Sequence, residues 1–387
     1  MKTTRKTMKT LLAGASMLGL SSAAMLGSSL SADATTVRFA NGLPPGSGPS
    51  MMLDRNTAAT LEETGLNVRQ FHLTLLSLAE ANAGIRDGVA DMGWNLYAYF
   101  PSDFPANNMA AEFSQLVELE EFSGELQSLA FGAAITEYML FHCPECVEEL
   151  AAQEQVFLGA GMTTNYALQC MMPIETAADL EGKRIRAAGA FWSRWIESVG
   201  ATPVSMSINE TLEALNQGVV DCTASNTADF VNFGLIDVVR HVHDGLPGAL
   251  FTIPLTINID SWQSLTDEER GHLLRYSANV TAGITWTYIG EARDGRERAP
   301  GLGITYDTVS EELLAMNRAF IDQDLDVVAE VYRERFGIEN GEEVAATIRE
   351  LLERWTALVA DVSSEEEAVE LYYNEIFSRI DPATFRM

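Results

Sequence analysis

Several groups of residues in this 387-residue chain have the types and spacing to do chemistry. Arg186 closes the run Lys183-Arg184-Ile185-Arg186-Ala187, just before Gly189. Its guanidinium is a planar fork of N–H donors that can hold a carboxylate or sulfonate through two parallel hydrogen bonds. The competing reading is a surface arginine paired with one of the many acids. Aromatic residues gather in two stretches, Trp94, Tyr97, Tyr99 and Phe100 in one, Phe191, Trp192 and Trp195 in the other. They suit the wall of an apolar ligand site or plain core, and core is the expectation for Phe100 and Trp195.

Two other spacings carry less. Cys143-Pro144-Glu145-Cys146 has the C-x-x-C spacing of redox and zinc sites. Nothing thioredoxin-like surrounds it, and zinc would need two more ligands where only His142 is near. A local disulfide between Cys143 and Cys146, or two free thiols, fits better. His241-Val242-His243-Asp244 could present a metal pair on a strand, but no carboxylate spacing supports it, and a solvated strand end is expected. There is no Gly-x-Ser-x-Gly, His-Glu-x-x-His, Walker loop or strand-borne Gly-x-Gly-x-x-Gly, and no acid-base pair stands out among 55 acids. Hence the chain is expected to be a binder rather than an enzyme, with no catalytic residue, metal or cofactor.

The elements that must position Arg186 follow from local signals. Arg184 to Ala187 reads as a strand, Phe191 to Val199 as a helix, Thr202 to Met206 as a strand and Ser207 to Gln217 as a helix that Gly218 closes. Val219-Val220-Asp221 then opens a third strand. Strand and helix alternating in this way mean crossover units and a mostly parallel sheet, with ligands outside the carboxyl ends of its strands. The junction Ile85-Arg86-Asp87-Gly88-Val89-Ala90-Asp91-Met92 parallels Leu215-Asn216-Gln217-Gly218-Val219-Val220-Asp221-Cys222, so the same unit is built once in each half. The loops after these strands face the cleft between two lobes. Trp94, Asn95 and Tyr97 are therefore candidate ligand residues from the first loop, and Ser225 and Asn226 from the second.

Upstream, Thr36 to Ala40 reads as an edge-like first strand, Ser47 or Ser50 caps a helix that Gly65 ends, and Asn67 to His72 is a second strand. Ser77 to Ile85 is helical, and Leu129 to Ile135 and Val156 to Gly159 read as further strands. Downstream, Thr252 to Ile259 is strand-like, a long helix starts at Ser264 or Thr266 and runs to about Glu291, and three amphipathic helices fill Glu311 to Ile380. The expected organisation is residues 35–159 with about 250–292 in lobe I, 160–249 with about 293–330 in lobe II, and 331–387 as helices packing across both.

Residues Ile174 to Asp221 resemble the solute-binding proteins of TRAP transporters, the periplasmic dicarboxylate-binding type. The blocks that carry the resemblance are Pro173-Ile174, Asp179-Leu180-Glu181-Gly182-Lys183-Arg184-Ile185-Arg186, Gly200-Ala201-Thr202-Pro203 and Ala214-Leu215-Asn216-Gln217-Gly218-Val219-Val220-Asp221. The resemblance implies a two-lobed periplasmic-binding-protein fold, type II-like, with a long lobe-spanning helix. It also implies a ligand carboxylate held by the arginine at position 186, and partnership with a small and a large membrane subunit. Sugar-acid-binding members put charged residues near positions 96 and 99, where this chain has Leu96 and Tyr99. Many members carry a second arginine about twenty residues before the strand of Arg186, where this chain reads Thr164-Asn165-Tyr166. Asn165 and Tyr166 thus join Phe191 and Trp192 as candidate ligand residues. Both departures favour a small or apolar monocarboxylate, or a sulfonate, over a sugar acid or dicarboxylate. A periplasmic sensor of the same fold, or the binding component of another transporter class, is the alternative.

Composition sets the surroundings. The formal charge of −30 disfavours nucleic acid and anionic membranes as partners, and makes a locally basic pocket informative. Residues 1–34 read as a secretory signal: Lys2, Arg5, Lys6 and Lys9, then an apolar stretch from Leu11 to Leu26, then Ala32-Asp33-Ala34 as a small-x-small cleavage site. The mature start is then Thr35, and the location is the periplasm. No later window is apolar enough to span a membrane, so no direct insertion is expected. The four cysteines sit in an oxidising compartment.

Overall fold

A computed structural model describes residues Thr35–Met387. The expected leader and its expected cleavage site lie outside the described residues. Among the described residues eleven strands form two sheets. In chain order they are β1 (Thr36–Asn41), β2 (Asn67–His72), β3 (Met92–Trp94), β4 (Gln155–Met162), β5 (Ala167–Cys170), β6 (Arg184–Ala187), β7 (Thr202–Ser205), β8 (Cys222–Ser225), β9 (His241–Pro247), β10 (Thr252–Asn258) and β11 (Thr305–Tyr306). The first sheet has the order β2-β1-β3-β10-β4, and the second β11-β9-β5-β8-β6-β7. In each sheet one strand opposes its neighbours, β10 in the first and β5 in the second, and the remaining pairs run parallel. The result is a two-lobed α/β fold of mixed, mostly parallel sheets flanked by helices.

The two opposing strands are those the chain uses to change sheets. It leaves the first sheet after β4, enters the second through β5, and returns from β9 through β10. The two passages run side by side and bond to one another: Thr163 N to Phe251 O at 3.0 Å, Tyr166 N to Ala249 O at 2.9 Å and Gly248 N to Tyr166 O at 3.2 Å. Glu118 ties them down, its Oε1 accepting from Ala249 N at 2.7 Å and from Asn165 Nδ2 at 2.5 Å. A third passage leads from the helix Asp267–Arg298 into β11.

The repeated helix–Gly–x–x–Asp–strand junction has a structural cause. Gly88 and Gly218 take φ of 70° and 64°, the left-handed region that lets the helix stop and the chain turn into a strand. The aspartate two residues past each strand-entry valine then clamps the neighbouring parallel strand. Asp91 accepts from Arg38 N at 2.7 Å and pairs with its guanidinium at 2.7 Å. Asp221 does the same for Arg184, at 2.9 Å in both contacts. This Arg–Asp clamp at the strand entrance occurs once in each sheet. It also separates Arg184, a strand-pairing residue 46% exposed in its side chain, from the fully buried Arg186 two positions on.

Helix starts follow the capping signals. Ser47 caps Gly48–Thr64, and Thr176/Asp179, Ser207/Glu210 and Thr266/Glu269 form capping boxes. The helix Asp267–Arg298 extends beyond its expected end near Glu291, with Arg296 and Arg298 in its last turn, and packs on β4 and on Gly48–Thr64. Three helices, Glu311–Phe336, Gly341–Val359 and Glu365–Glu375, follow as expected.

Three expectations are corrected. Leu129 to Ile135 is not a strand but part of the helix Gln127–Phe141. Residues 128–140 of that helix are all buried, so the stretch has no polar stripe to reveal a helical period. β1 is not an edge strand, because β2 and β3 pair on either side of it. In the third case the helix after β2 is shorter than expected, Ala81–Arg86, with Ser77 held instead by the Glu80 carboxylate.

Candidate functional site

Arg186 is 0% exposed. β6 delivers it and three acceptors hold it: Met206 O from Nε at 3.1 Å, Ala224 O from Nη1 at 3.3 Å and Tyr99 Oη from Nη2 at 3.1 Å. The Tyr166 hydroxyl lies close enough to the guanidinium to feel its charge. Met206 and Ala224 belong to the second sheet's surroundings, and Tyr99 comes from the short helical turn Tyr97–Tyr99 after β3 of the first. Tyr99 Oη also accepts from Ile208 N at 3.0 Å, so its own hydrogen is left to donate.

Tyr99 and Tyr166 line a cavity of ≈380 Å³ together with Trp94, Asn226, Asp229, Phe251 and Tyr288. Its walls are mostly rings. Tyr166 stacks on Trp192 at 4.4 Å, and Phe251 lies 6.0 Å from Tyr166, 5.8 Å from Trp192 and 6.0 Å from Tyr99. A neighbouring cavity of ≈450 Å³ shares Phe251 and is lined by Tyr97, Phe191 and Trp192. A wider cleft, ≈1450 Å³, opens outside Tyr99, Phe100 and Gly189.

The one charged residue among those lining the smaller cavity is Asp229, 2% exposed. Ser225 Oγ donates to its Oδ2, and so does Asn226 Nδ2 at 2.9 Å. Its Oδ1 has no hydrogen-bond partner among the described residues. Burial pushes this carboxyl up to about 7, against the opposing pull of Ser225, Arg186 and Asn226.

The structure brings together Trp94, Tyr166 and Asn226 at the first cavity, Tyr97, Phe191 and Trp192 at the second, and Arg186 behind Tyr99 and Tyr166. Ser225 reaches the cavity through Asp229. Asn95 and Asn165 are placed elsewhere. Asn95 is fully buried and donates to Asn82 Oδ1 at 3.2 Å and Gln155 Oε1 at 2.9 Å. Asn165 serves the sheet-to-sheet passage, bonded to Glu118 and Gln127. Trp195 is core, fully buried. Sequence reasoning missed Asp229, Phe251 and Tyr288. The one signal for Asp229 was an acid just after a strand end, between Ala228 and Phe230-Val231.

All four cysteines are paired, Cys143 with Cys146 and Cys170 with Cys222. The second bridge staples β5 to β8 where those residues face one another in register. The first caps a helix start away from both cavities, Cys143 Sγ accepting from Cys146 N. A Cys143→Ser/Cys146→Ser variant is therefore expected to bind ligand unchanged, as judged by titration of the folded variant. His243 is fully buried, not the solvated strand end expected, and burial lowers its imidazole to about 4. His241 pairs with Asp307 at 2.5 Å. Among the described residues no group of His, Cys, Asp and Glu is arranged to hold a metal ion, and no helix is long and apolar enough to cross a membrane.

Two sheets joined by paired passages, with an arginine buried behind aromatic rings between them, define a two-lobed solute-binding fold. Residues 145–334 match the bacterial extracellular solute-binding protein family 7. The blocks from Pro173 to Asp221 lie within that span. A solute-binding protein of Albidiferax ferrireducens is 24% identical over 110 residues, which are 28% of this chain and 32% of that one. The alignment thus spans about a third of that relative. Solved structures share the fold at larger scale. A marine metagenome TRAP solute-binding protein specific for aromatic acids, in complex with metahydroxyphenylacetate, has a TM-score of 0.70 at 21% identity, covering 83% of this chain and 99% of that one. A TRAP periplasmic solute-binding protein of Bordetella bronchiseptica with bound (R)- and (S)-mandelate has a TM-score of 0.68 at 19% identity, covering 83% and 99%. A Bordetella pertussis extracytoplasmic solute receptor binding pyroglutamic acid has 0.66 at 19%, covering 82% and 100%. The chain has the fold of the TRAP solute-binding proteins.

Proposed function

We propose that this protein is the extracytoplasmic receptor of a TRAP-type transporter. It takes up a small organic acid with one carboxylate, apolar or aromatic in its body, and presents it to a small and a large membrane subunit from the periplasm. The observation that carries this reading is Arg186, buried behind two phenols that line a ring-walled cavity. A guanidinium in such a place meets an anionic head, and the rings meet an apolar body. No cation lines that cavity itself among the described residues, and Arg186 stands directly behind its Tyr99, so a second carboxylate would go unpaired. Two of the structural relatives hold acids of this make-up, metahydroxyphenylacetate and mandelate. In this reading the chain binds and releases its ligand without chemical change.

The test is a thermal-shift screen with benzoate, phenylacetate, 3-hydroxybenzoate, mandelate, pyroglutamate, glucuronate and succinate. A ligand present at about a hundred times its Kd adds roughly 2.7 kcal/mol to the folded state and raises Tm by several degrees. The aromatic monocarboxylates are expected to give the largest shifts, and succinate and glucuronate the smallest. A screen in which succinate leads, or in which no acid shifts Tm, rejects this reading.

A further inference from the structure

The receptor reading leaves one group in the cavity without a role. Asp229 is a buried acid where an anion is to be bound, and its Oδ1 faces no donor. Every polar neighbour bonds the other oxygen: Ser225 Oγ and Asn226 Nδ2 both donate to Oδ2. The charged and titratable groups around it are Arg186 from β6, Tyr166 at the passage into β5, and Tyr288 and Glu291 from the helix Asp267–Arg298. Of these only Arg186 is a cation. An ionised Asp229 already balances that one positive charge. A carboxylate entering the same dry space would add an uncompensated negative charge, which is among the costliest things to bury.

Resting on the organic-acid reading above, we propose that Asp229 is a second anion-holding residue: as the acid binds, Asp229 takes one proton from solvent onto Oδ1 and donates it in a hydrogen bond to the ligand carboxylate, opposite Arg186. The balance is simple. One ligand anion and one proton enter, one O–H bond forms on Asp229, and no bond of the ligand changes. Arg186 and the ligand then form a matched pair of charges, with Glu291 outside the cavity lining and held by Asn232. Oδ1 is the oxygen that can donate, because Oδ2 is already occupied by two donors. Burial has already brought the carboxyl to about 7, so the proton costs little near neutral pH. The inference narrows the ligand class to monocarboxylates, and makes uptake by the receptor a co-binding of acid anion and proton.

The experiment is isothermal titration of the whole mature protein with phenylacetate, 3-hydroxybenzoate and mandelate. It is run at about pH 5.5 and about pH 8.5, in pairs of buffers that differ in heat of protonation. Proton uptake near zero is expected at the lower pH, where Asp229 is already neutral, and uptake approaching one per ligand at the higher. Affinity is expected to fall by about tenfold per pH unit above neutrality. Asp229→Asn keeps the shape and a donor without the titration, so its uptake should vanish and its affinity become flat with pH. Glu291→Gln, the nearest other acid, should leave the uptake in place. Binding to wild type without proton uptake at the higher pH overturns the proposal and leaves the receptor reading standing. So does uptake that persists in Asp229→Asn. Tighter, proton-neutral binding of the amino acid phenylalanine would make Asp229 the ionised partner of an ammonium group, which also overturns it. If none of the three acids binds wild type, the organic-acid reading fails and takes this inference with it. The buffer measurement on wild type needs no variant, so a misfolded Asp229→Asn does not leave the question undecided.

Discussion

Arg186→Ala is expected to weaken binding of an aromatic monocarboxylate by several hundred-fold or more. The side chain is wholly buried, and a ligand carboxylate left in that space without its cation loses on the order of 3–5 kcal/mol. Arg186→Lys keeps the charge but gives up the planar fork, with which the guanidinium now spans Met206 O, Ala224 O and Tyr99 Oη. Its loss should be intermediate. The same bonds mean that the fold will feel the change. Alanine strands two backbone carbonyls in the interior, each costing roughly 1–3 kcal/mol, so apo Tm should drop as well. This differs from the simplest expectation for a strand-end side chain pointing into an open cleft, which would carry little of the fold. Titration on samples shown to be folded separates the two effects. Unchanged affinity in folded Arg186→Ala would place the carboxylate elsewhere.

A second large effect is expected at Arg194, in stability rather than affinity. From the helix Ala190–Ser198 it donates to Asp324 at 2.6 and 2.7 Å and to Glu112 at 2.6 Å. Glu112 also accepts from the Tyr332 hydroxyl at 2.6 Å, and Asp324 from Gln115 at 2.9 Å. The two carboxylates are 9% and 2% exposed, and they hold the guanidinium's pKa well above its ordinary value. This network joins a helix of the second sheet's surroundings to Pro105–Glu112 and Glu311–Phe336. Arg194→Ala would leave two buried carboxylates without a cation, at a cost of about 3–5 kcal/mol. Tm should fall by several degrees or more. Adding Asp324→Asn should recover part of the loss, because most of the cost is the orphaned charge rather than the missing contact. A double variant less stable than the single one would contradict that account.

Much of this was legible along the chain, and the reasons are local. Gly65, Gly88 and Gly218 sit where only a left-handed residue ends a helix comfortably, and Ser47, Ser207 and Thr266 stand where a helix must begin, so those boundaries were readable. Leu129 to Ile135 was not, because a helix buried on all sides has no periodicity to show. Nor was the interior place of β1, since which strands flank it depends on crossovers that no local signal encodes. The second bridge, Cys170–Cys222, depends on β5 and β8 pairing in register, which is equally non-local. At the site, the two arginines of β6 differ because Asp221 claims Arg184. The matching Arg38–Asp91 pair in the first half was a usable hint. Asp229 had no such marker among 55 acids. Its character comes from rings contributed by β3, by Phe251 just before β10 and by the helix Asp267–Arg298.

The paired passages between the sheets also constrain how the binding site opens. Two antiparallel segments bonded to each other by three backbone contacts behave as a torsion bar: they twist readily, whereas sliding one past the other would break every bond at once. Tyr166 and Phe251 are part of that bar, so a twist of one sheet against the other would displace them least. Tyr99 and Arg186 stand off it, on opposite arms, and their 3.1 Å contact is where a small rotation would be magnified into a gap. In the proposed receptor, such a lever geometry would leave the rings a constant grip on the ligand's body and give the charged head the task of sensing whether the arms have met.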